Sequence, residues 1–247
     1  MIKLNRGKYP KYFVLAAVLA GAILFSSCST SVALIAGQNN SGEVSLQTKL
    51  SPSVMSVVSA LSGASSTEAL FDKDQIVQSL KKTGYTVSGV RFPARNTLTI
   101  NTQTAKLTDM LPNSKDFVSL KKDGKINDMV INLSPVNIKK AVDLMPEETA
   151  LYLDLLFAPI FTGEAMSADE YTELIAMAYG DNVAADLKKS IVTIQFDVPG
   201  QIVSAELTNN DKNTISIDAK FIKMSMPLVE MLTNLKGNVC RIRWTEE

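Results

Sequence analysis

The sequence predicts an α+β fold: a mainly antiparallel sheet with a central helical block, about 135–189, packed on one face. Three observations predict it. Strand-forming segments with period-two alternation lie on both sides of a run of helix signals, the arrangement of segregated helices and sheet rather than of alternating β and α units. Helix starts with a Ser cap followed by a first-turn proline stand at Ser51-Pro52 and Ser134-Pro135. Asp123-Gly124 in KDGK is a hairpin turn signal between two apolar runs.

The elements follow in order. Residues 28–41 read as a tether, mostly small and polar around Val32–Ile35, that begins a strand. Glu43–Leu50 (EVSLQTKL) alternates as a strand, and SVMSVVSALSG continues from Pro52 as a helix closing at Gly63. Asp72 and Gln75 form a capping-box pattern for a helix ending near Gly84. Tyr85–Phe92 and Thr97–Gln103 pair across PARN, and Phe117–Lys121 pairs with Ile126–Leu133 across KDGK. Helices are then predicted from Ser134 to about Leu144, over 147–157, from a Ser167/Glu170 capping box to Tyr179 with a stop at Gly180, and over Asp181–Lys189. Val192, Ile194, Phe196 and Val198 fall on one face of the next strand. Pro199-Gly200 turns it into Gln201–Thr208, and Asn209-Asn210-Asp211 into Thr214–Phe221, with Ile215, Ile217, Ala219 and Phe221 inward, as an antiparallel meander. A helix over Pro227–Leu235 and a strand over Asn238–Thr245 complete the chain.

The N-terminus has a different character. Lys3, Arg6, Lys8 and Lys11 precede a 14-residue apolar run, Tyr12–Phe25. A bilayer span needs about 20 residues, so the run has the length of a signal peptide's apolar region. Ser26-Ser27-Cys28 follows and resembles the lipobox of bacterial lipoproteins, with Phe25 where Leu is usual. That resemblance implies a signal peptide over 1–27, a diacylglycerol carrying chains such as palmitate on the Cys28 thiol, and a membrane partner reached through the lipid. Ser29, rather than Asp, after the cysteine implies the outer membrane, the protein facing the periplasm or the surface. Residues 42–247 are then one α+β envelope domain.

Charge and composition narrow the function. Removing the four basic signal residues leaves 21 basic against 25 acidic, a net charge of −4, which argues against nucleic acid. The absence of histidine removes Ser-His and Cys-His nucleophiles and His-ligated zinc. Cys240 is the one cysteine besides Cys28, so no disulfide forms within the mature chain, and its alternation with Ile242 and Trp244 predicts an inward strand position.

The segment FDVPGQIVSAELTNNDKNTISIDAKF, with Pro199 and Gly200 at its first turn, is similar to a unit near the C-terminus of LppM-like bacterial lipoproteins. Those proteins also place a lipidated cysteine ahead of a strand and a helix, as Cys28, Glu43–Leu50 and Ser51–Gly63 stand here; 135–189 has no counterpart. The resemblance implies a ligand-cradling α+β envelope domain.

Candidate chemistry is sparse. Glu147, Glu148, Asp154, Glu164, Asp169, Glu170 and Glu173 gather around the helical block, where paired carboxylates could serve glycan hydrolysis or calcium. Glu147-Glu148 and Asp169-Glu170 sit in first helical turns, where acids complement the helix dipole, so capping is the favoured reading. No G-x-S-x-G and no spaced calcium loop occurs, and no metal or cofactor is expected. ALYLDLLFAPIF, 150–161, is apolar around most of a helix and reads as a core helix ended or kinked at Pro159. The sharper reading makes it the wall of an apolar cavity or a membrane contact, with Leu151, Leu155, Phe157 and Phe161 touching a ligand and Met145, Met166 and Met177 nearby. The expectation is a non-catalytic envelope lipoprotein that binds a hydrophobic ligand or an envelope protein. The alternatives are an assembly factor presenting a surface and, behind it, a carboxylate-dependent hydrolase.

Overall fold

The computed structural model describes residues 29–37, 41–62, 73–82, 86–105, 118–142, 156–208, 211–219 and 221–246. They form a sheet-dominated α+β fold with two sheets. The first is built from β1 (Ser29–Ala36), β2 (Gly42–Lys49), β3 (Thr86–Ala94), β4 (Thr97–Thr104), β7 (Ile191–Asp197), β9 (Thr214–Ile217) and β10 (Phe221–Pro227), in the order β3-β4-β2-β1-β7-β10-β9. The second holds β5 (Val118–Asp123), β6 (Ile126–Leu133), β8 (Gly200–Leu207) and β11 (Asn238–Glu246), in the order β5-β6-β11-β8. Neighbours run antiparallel except β1 and β7, which pair in parallel from Ser29↔Ile191 to Ile35↔Asp197.

Alternation sets the two faces of each sheet. Val32, Val44, Leu46, Leu98, Ile100, Val192, Ile194, Phe196, Ile222, Met224 and Met226 are buried on the inner face of the first sheet. Met129, Ile131, Leu133, Cys240, Ile242 and Trp244 are buried on that of the second and join the same core. The outward positions of the first sheet are mostly uncharged and polar: Thr99, Gln47, Ser31, Thr193 and Ser225 lie in one cross-strand row. Both end strands resist further pairing. β9 has only four residues, while β3 carries Pro93 and two register irregularities.

The helices start and stop where their caps stand. α1 (Pro52–Ser62) opens with Ser51 Oγ accepting from the Val54 amide at 3.3 Å. α2 is Lys73–Lys82 and packs on β3; Asp72, the other half of the expected capping box, lies outside the described residues. α3 (Pro135–Val142) begins with Ser134 Oγ accepting from the Asn137 amide. The expected Leu144 end lies outside the described residues. α4 is Ala158–Thr162, α5 Ala168–Tyr179, α6 Asp181–Lys189 and α7 Leu228–Thr233. The Ser167–Glu170 capping box of α5 is formed in both directions, and Gly180 ends that helix. Tyr171, Ile175, Val183, Ala184, Leu187, Val229 and Leu232 turn inward from α5, α6 and α7, which touch one another.

Several expectations are corrected. Ser29–Ala36, expected as part of a tether, is a full strand between β2 and β7, because Thr30, Val32 and Ala36 find a buried face there. The meander does not form: Pro199-Gly200 carries the chain into the second sheet, since both edges of β7 are taken by β1 and β10. Ile215 and Ile217 are exposed rather than inward, because β9 is a four-residue strand at the end of the sheet; Ala219 is exposed as well. A tight turn at Asp218–Ala219 ends that strand, with the Asp218 amide donating to the Phe221 carbonyl at 2.8 Å. Phe221–Pro227 then runs back as β10. Of the helix expected over 147–157, residues 147–155 lie outside the described residues and Leu156–Phe157 form a turn. Pro159 opens α4 instead of ending a helix, its missing N–H costing nothing in a first turn.

Candidate functional site

The residues expected to touch a ligand separate on inspection. Leu151 and Leu155 lie outside the described residues, as does Cys28. Phe157 caps α4 and is fully buried. Its ring stacks on Phe161 with centroids 5.7 Å apart, and Lys139 of α3 places Nζ 4.9 Å from the Phe161 ring centre. The turn before α4 is fixed from α5, where the buried Tyr171 hydroxyl donates to the Leu156 carbonyl at 2.8 Å. Burial pushes the Tyr171 phenol well above its ordinary range, so it stays a neutral donor. Phe157 therefore belongs to the core, and Phe161 to its half-buried margin under a cation.

The acids among the described residues are occupied or apart. Asp169 pairs with Lys188 at 2.9 Å, both exposed, and that hydrogen bond holds its carboxyl below the usual range. Glu170 accepts from the Ser167 amide at 2.8 Å, which lowers it too. Glu164 and Glu173 are exposed, and Glu147, Glu148 and Asp154 lie outside the described residues. Among the described residues no three His, Cys, Asp or Glu side chains gather as a metal site. An open cleft of about 610 Å³ lies between the start of α5 and the end of α7, lined by Met166, Ser167, Glu170, Asn234, Leu235 and Lys236 among others. It presents one carboxylate, already engaged in the cap.

A different feature emerges on the inner face of the second sheet. Asn127 and Trp244 are cross-strand partners, both buried, at the end of the apolar columns Met129–Ile131–Leu133 and Cys240–Ile242. Among the described residues, neither Asn127 Nδ2 nor Trp244 Nε1 has a hydrogen-bond partner. Partners in register place their Cβ atoms about 5 Å apart. A buried donor left unpaired costs about 1–3 kcal/mol. Sequence reading missed it, although the signal is there: Asn127 occupies an inward position of INDMVINL where the alternation calls for an apolar residue. On the outer face of the same strands, Arg241 grips Asp128 through two hydrogen bonds, at 3.0 and 2.6 Å, holding the Asp128 carboxyl below its ordinary range.

No protein-family model matches this chain, and no curated protein sequence matches it. Among solved structures, the folded domain of the Mycobacterium tuberculosis LppM protein, determined by NMR, is similar at a TM-score of 0.38. It is 9% identical over 88% of this chain and 89% of that one. The likeness is weak and assigns this chain neither a fold family nor a function.

Proposed function

We propose that the chain is a non-catalytic envelope lipoprotein, anchored through acylated Cys28, whose α+β domain binds a hydrophobic ligand bearing an acceptor oxygen. The signal-like N-terminus and the Ser26-Ser27-Cys28 ending support the anchor, and Ser29 supports the outer membrane. No described helix is long and apolar enough to cross a membrane. The observation that supports the ligand reading is the set of buried donors on the second sheet with no partner among the described residues, Asn127 Nδ2 and Trp244 Nε1 at one end of its inner face and Asn238 Nδ2 at the other. In this reading the helices between 135 and 189 close one face of the sheet as a block, and 150–161 forms part of the wall. Native mass spectrometry of the mature chain and displacement of a fluorescent fatty acid test it. A co-purifying lipid and displaceable probe support the reading, and Asn127→Leu weakens uptake. A chain that takes up no probe and carries no lipid refutes it.

A second reading, an assembly lipoprotein presenting a surface to an envelope protein, is favoured by one observation. The end strand β9 exposes Ile215 and Ile217 side by side on one face. Cross-linking in cells that returns one consistent partner, lost with Ile217→Lys, selects this reading over the first.

A further inference from the structure

Ser29 is the first residue of β1, and Cys28 is joined directly to it in the sequence. Ser29 is already in register, opposite Lys49 of β2 and Ile191 of β7. The anchor therefore enters the middle of a seven-stranded sheet with no flexible spacer. A lipid on such a residue brings one end of the sheet to the bilayer and keeps it there. That end is assembled from the start of β1 and β7, the close of β2 and β10, and the Arg95–Asn96 turn between β3 and β4.

The side chains at this end suit a lipid surface. Ile191, directly beside Ser29, is 45% exposed. Lys49, Arg95 and Lys189 are exposed around it. Of the acids nearby, Asp186 accepts from Ser53 Oγ at 2.5 Å and lies within electrostatic reach of Lys189, and Asp169 pairs with Lys188. The far end of the same sheet, eight residues along β1, carries Glu43, Asp197 and the Asp218 turn instead.

We infer that this end of the seven-stranded sheet, with Ile191 at its centre and Lys49, Arg95 and Lys189 around it, is a docking surface for a bilayer rich in anionic phospholipid, holding the domain upright at a fixed orientation. The inference rests on the lipoprotein reading above. Charge complementarity adds to the anchor: each cation at an anionic surface raises the occupancy of the docked orientation about fivefold. The strand places the two ends of the sheet about 23 Å apart.

The test uses the full mature chain in vesicles of phosphatidylcholine with phosphatidylglycerol. A fluorophore is attached at Ala94→Cys, at the near end, or at Asp218→Cys, at the far end; both positions are exposed, whereas Cys240 is buried and does not compete. A quencher carried on the lipid is expected to quench the label at 94 and spare the label at 218. Ten Gly/Ser residues inserted between Cys28 and Ser29 are expected to abolish that difference in vesicles of phosphatidylcholine alone, where the short anchor acts without help from charge. The pair Lys49→Gln and Lys189→Gln is expected to reduce it on anionic vesicles. Mass spectrometry of the N-terminus separates the two levels of failure. An acylated Cys28 with equal quenching at both positions, or with quenching untouched by the insertion, overturns this inference and leaves the lipoprotein reading standing. An unmodified Cys28 overturns both.

Discussion

Replacing Gly237 by alanine puts a methyl group where the backbone of the preceding strand already lies. Gly237 stands at φ +70° between α7 and β11, and an added Cβ would meet Ser134 Cα at 2.6 Å and the Leu133 carbonyl oxygen at 3.0 Å. Both contacts are backbone atoms at the end of β6, the strand that β11 pairs with, so neither can swing aside. The left-handed conformation costs a residue with a Cβ about 1–2 kcal/mol. Overpacking adds about 1–3 kcal/mol, giving roughly 2–5 kcal/mol in all. Gly124 supplies the control: it sits at φ +59° in the β5–β6 turn with nothing within 4 Å of its added Cβ, so Gly124→Ala isolates the conformational part, about 1–2 kcal/mol. The assay is urea unfolding followed by the fluorescence of Trp244, the single tryptophan, which is buried on β11. If Gly237→Ala lowers stability no more than Gly124→Ala does, the close approach of β6 and the α7–β11 turn is wrong.

Further outcomes follow from the same structure. Asp128, ordinarily near 3.8, is lowered by its hydrogen bonds to Arg241, so the pair's stabilisation is present above that value and lost as pH falls below it. Asp128→Asn flattens the wild-type loss of stability in acid urea titrations; an unchanged acid limb would contradict the pairing. The Cys240 thiol, buried and pushed up to about 12, should resist a water-soluble disulfide reagent in the folded chain and react on unfolding in urea. Fast labelling of the native protein would contradict its inward position. Ser167→Ala removes one half of the α5 cap and should cost about 1 kcal/mol by urea unfolding, while Thr172→Ala, in the middle of the same helix, costs less. Asn127→Leu should hold or raise the stability of the ligand-free chain, because it removes a buried donor with no acceptor among the described residues; a large loss would mean the donor is paired.

Local signals were legible wherever the determinants are local. Cys240, Ile242 and Trp244 alternate inward as expected, Ser167 and Glu170 form their box, and Gly124 turns the β5–β6 hairpin. Failures arise where a residue's environment depends on distant chain. STSVALIA reads as a tether because its small residues carry little strand signal, yet it becomes β1 once β7 supplies a neighbour. Ile215 and Ile217 obey the same alternation as Ile222 and Met224, which they face across the ladder. Alternation assigns them a side of the sheet but not a cover, and the end position leaves them in water. β10 was overlooked although Ile222, Met224 and Met226 mark its inward face. For the site, an apolar run around Phe157 foretold burial without telling core from cavity. The more informative residue was the polar one, Asn127, whose place on an apolar face is visible in the sequence once the strand is drawn.

The parallel pairing of β1 with β7 also governs the order in which this chain can fold. Ser29 must wait for Ile191, 162 positions later, and β6 waits for β11 at the extreme C-terminus. Neither sheet can close while the chain is still emerging N-terminus first. Long sequence separations of this kind slow folding, because loop closure precedes the contacts that reward it. A chain built this way leaves the apolar faces of β2, β4 and β6 uncovered until its C-terminal strands are available.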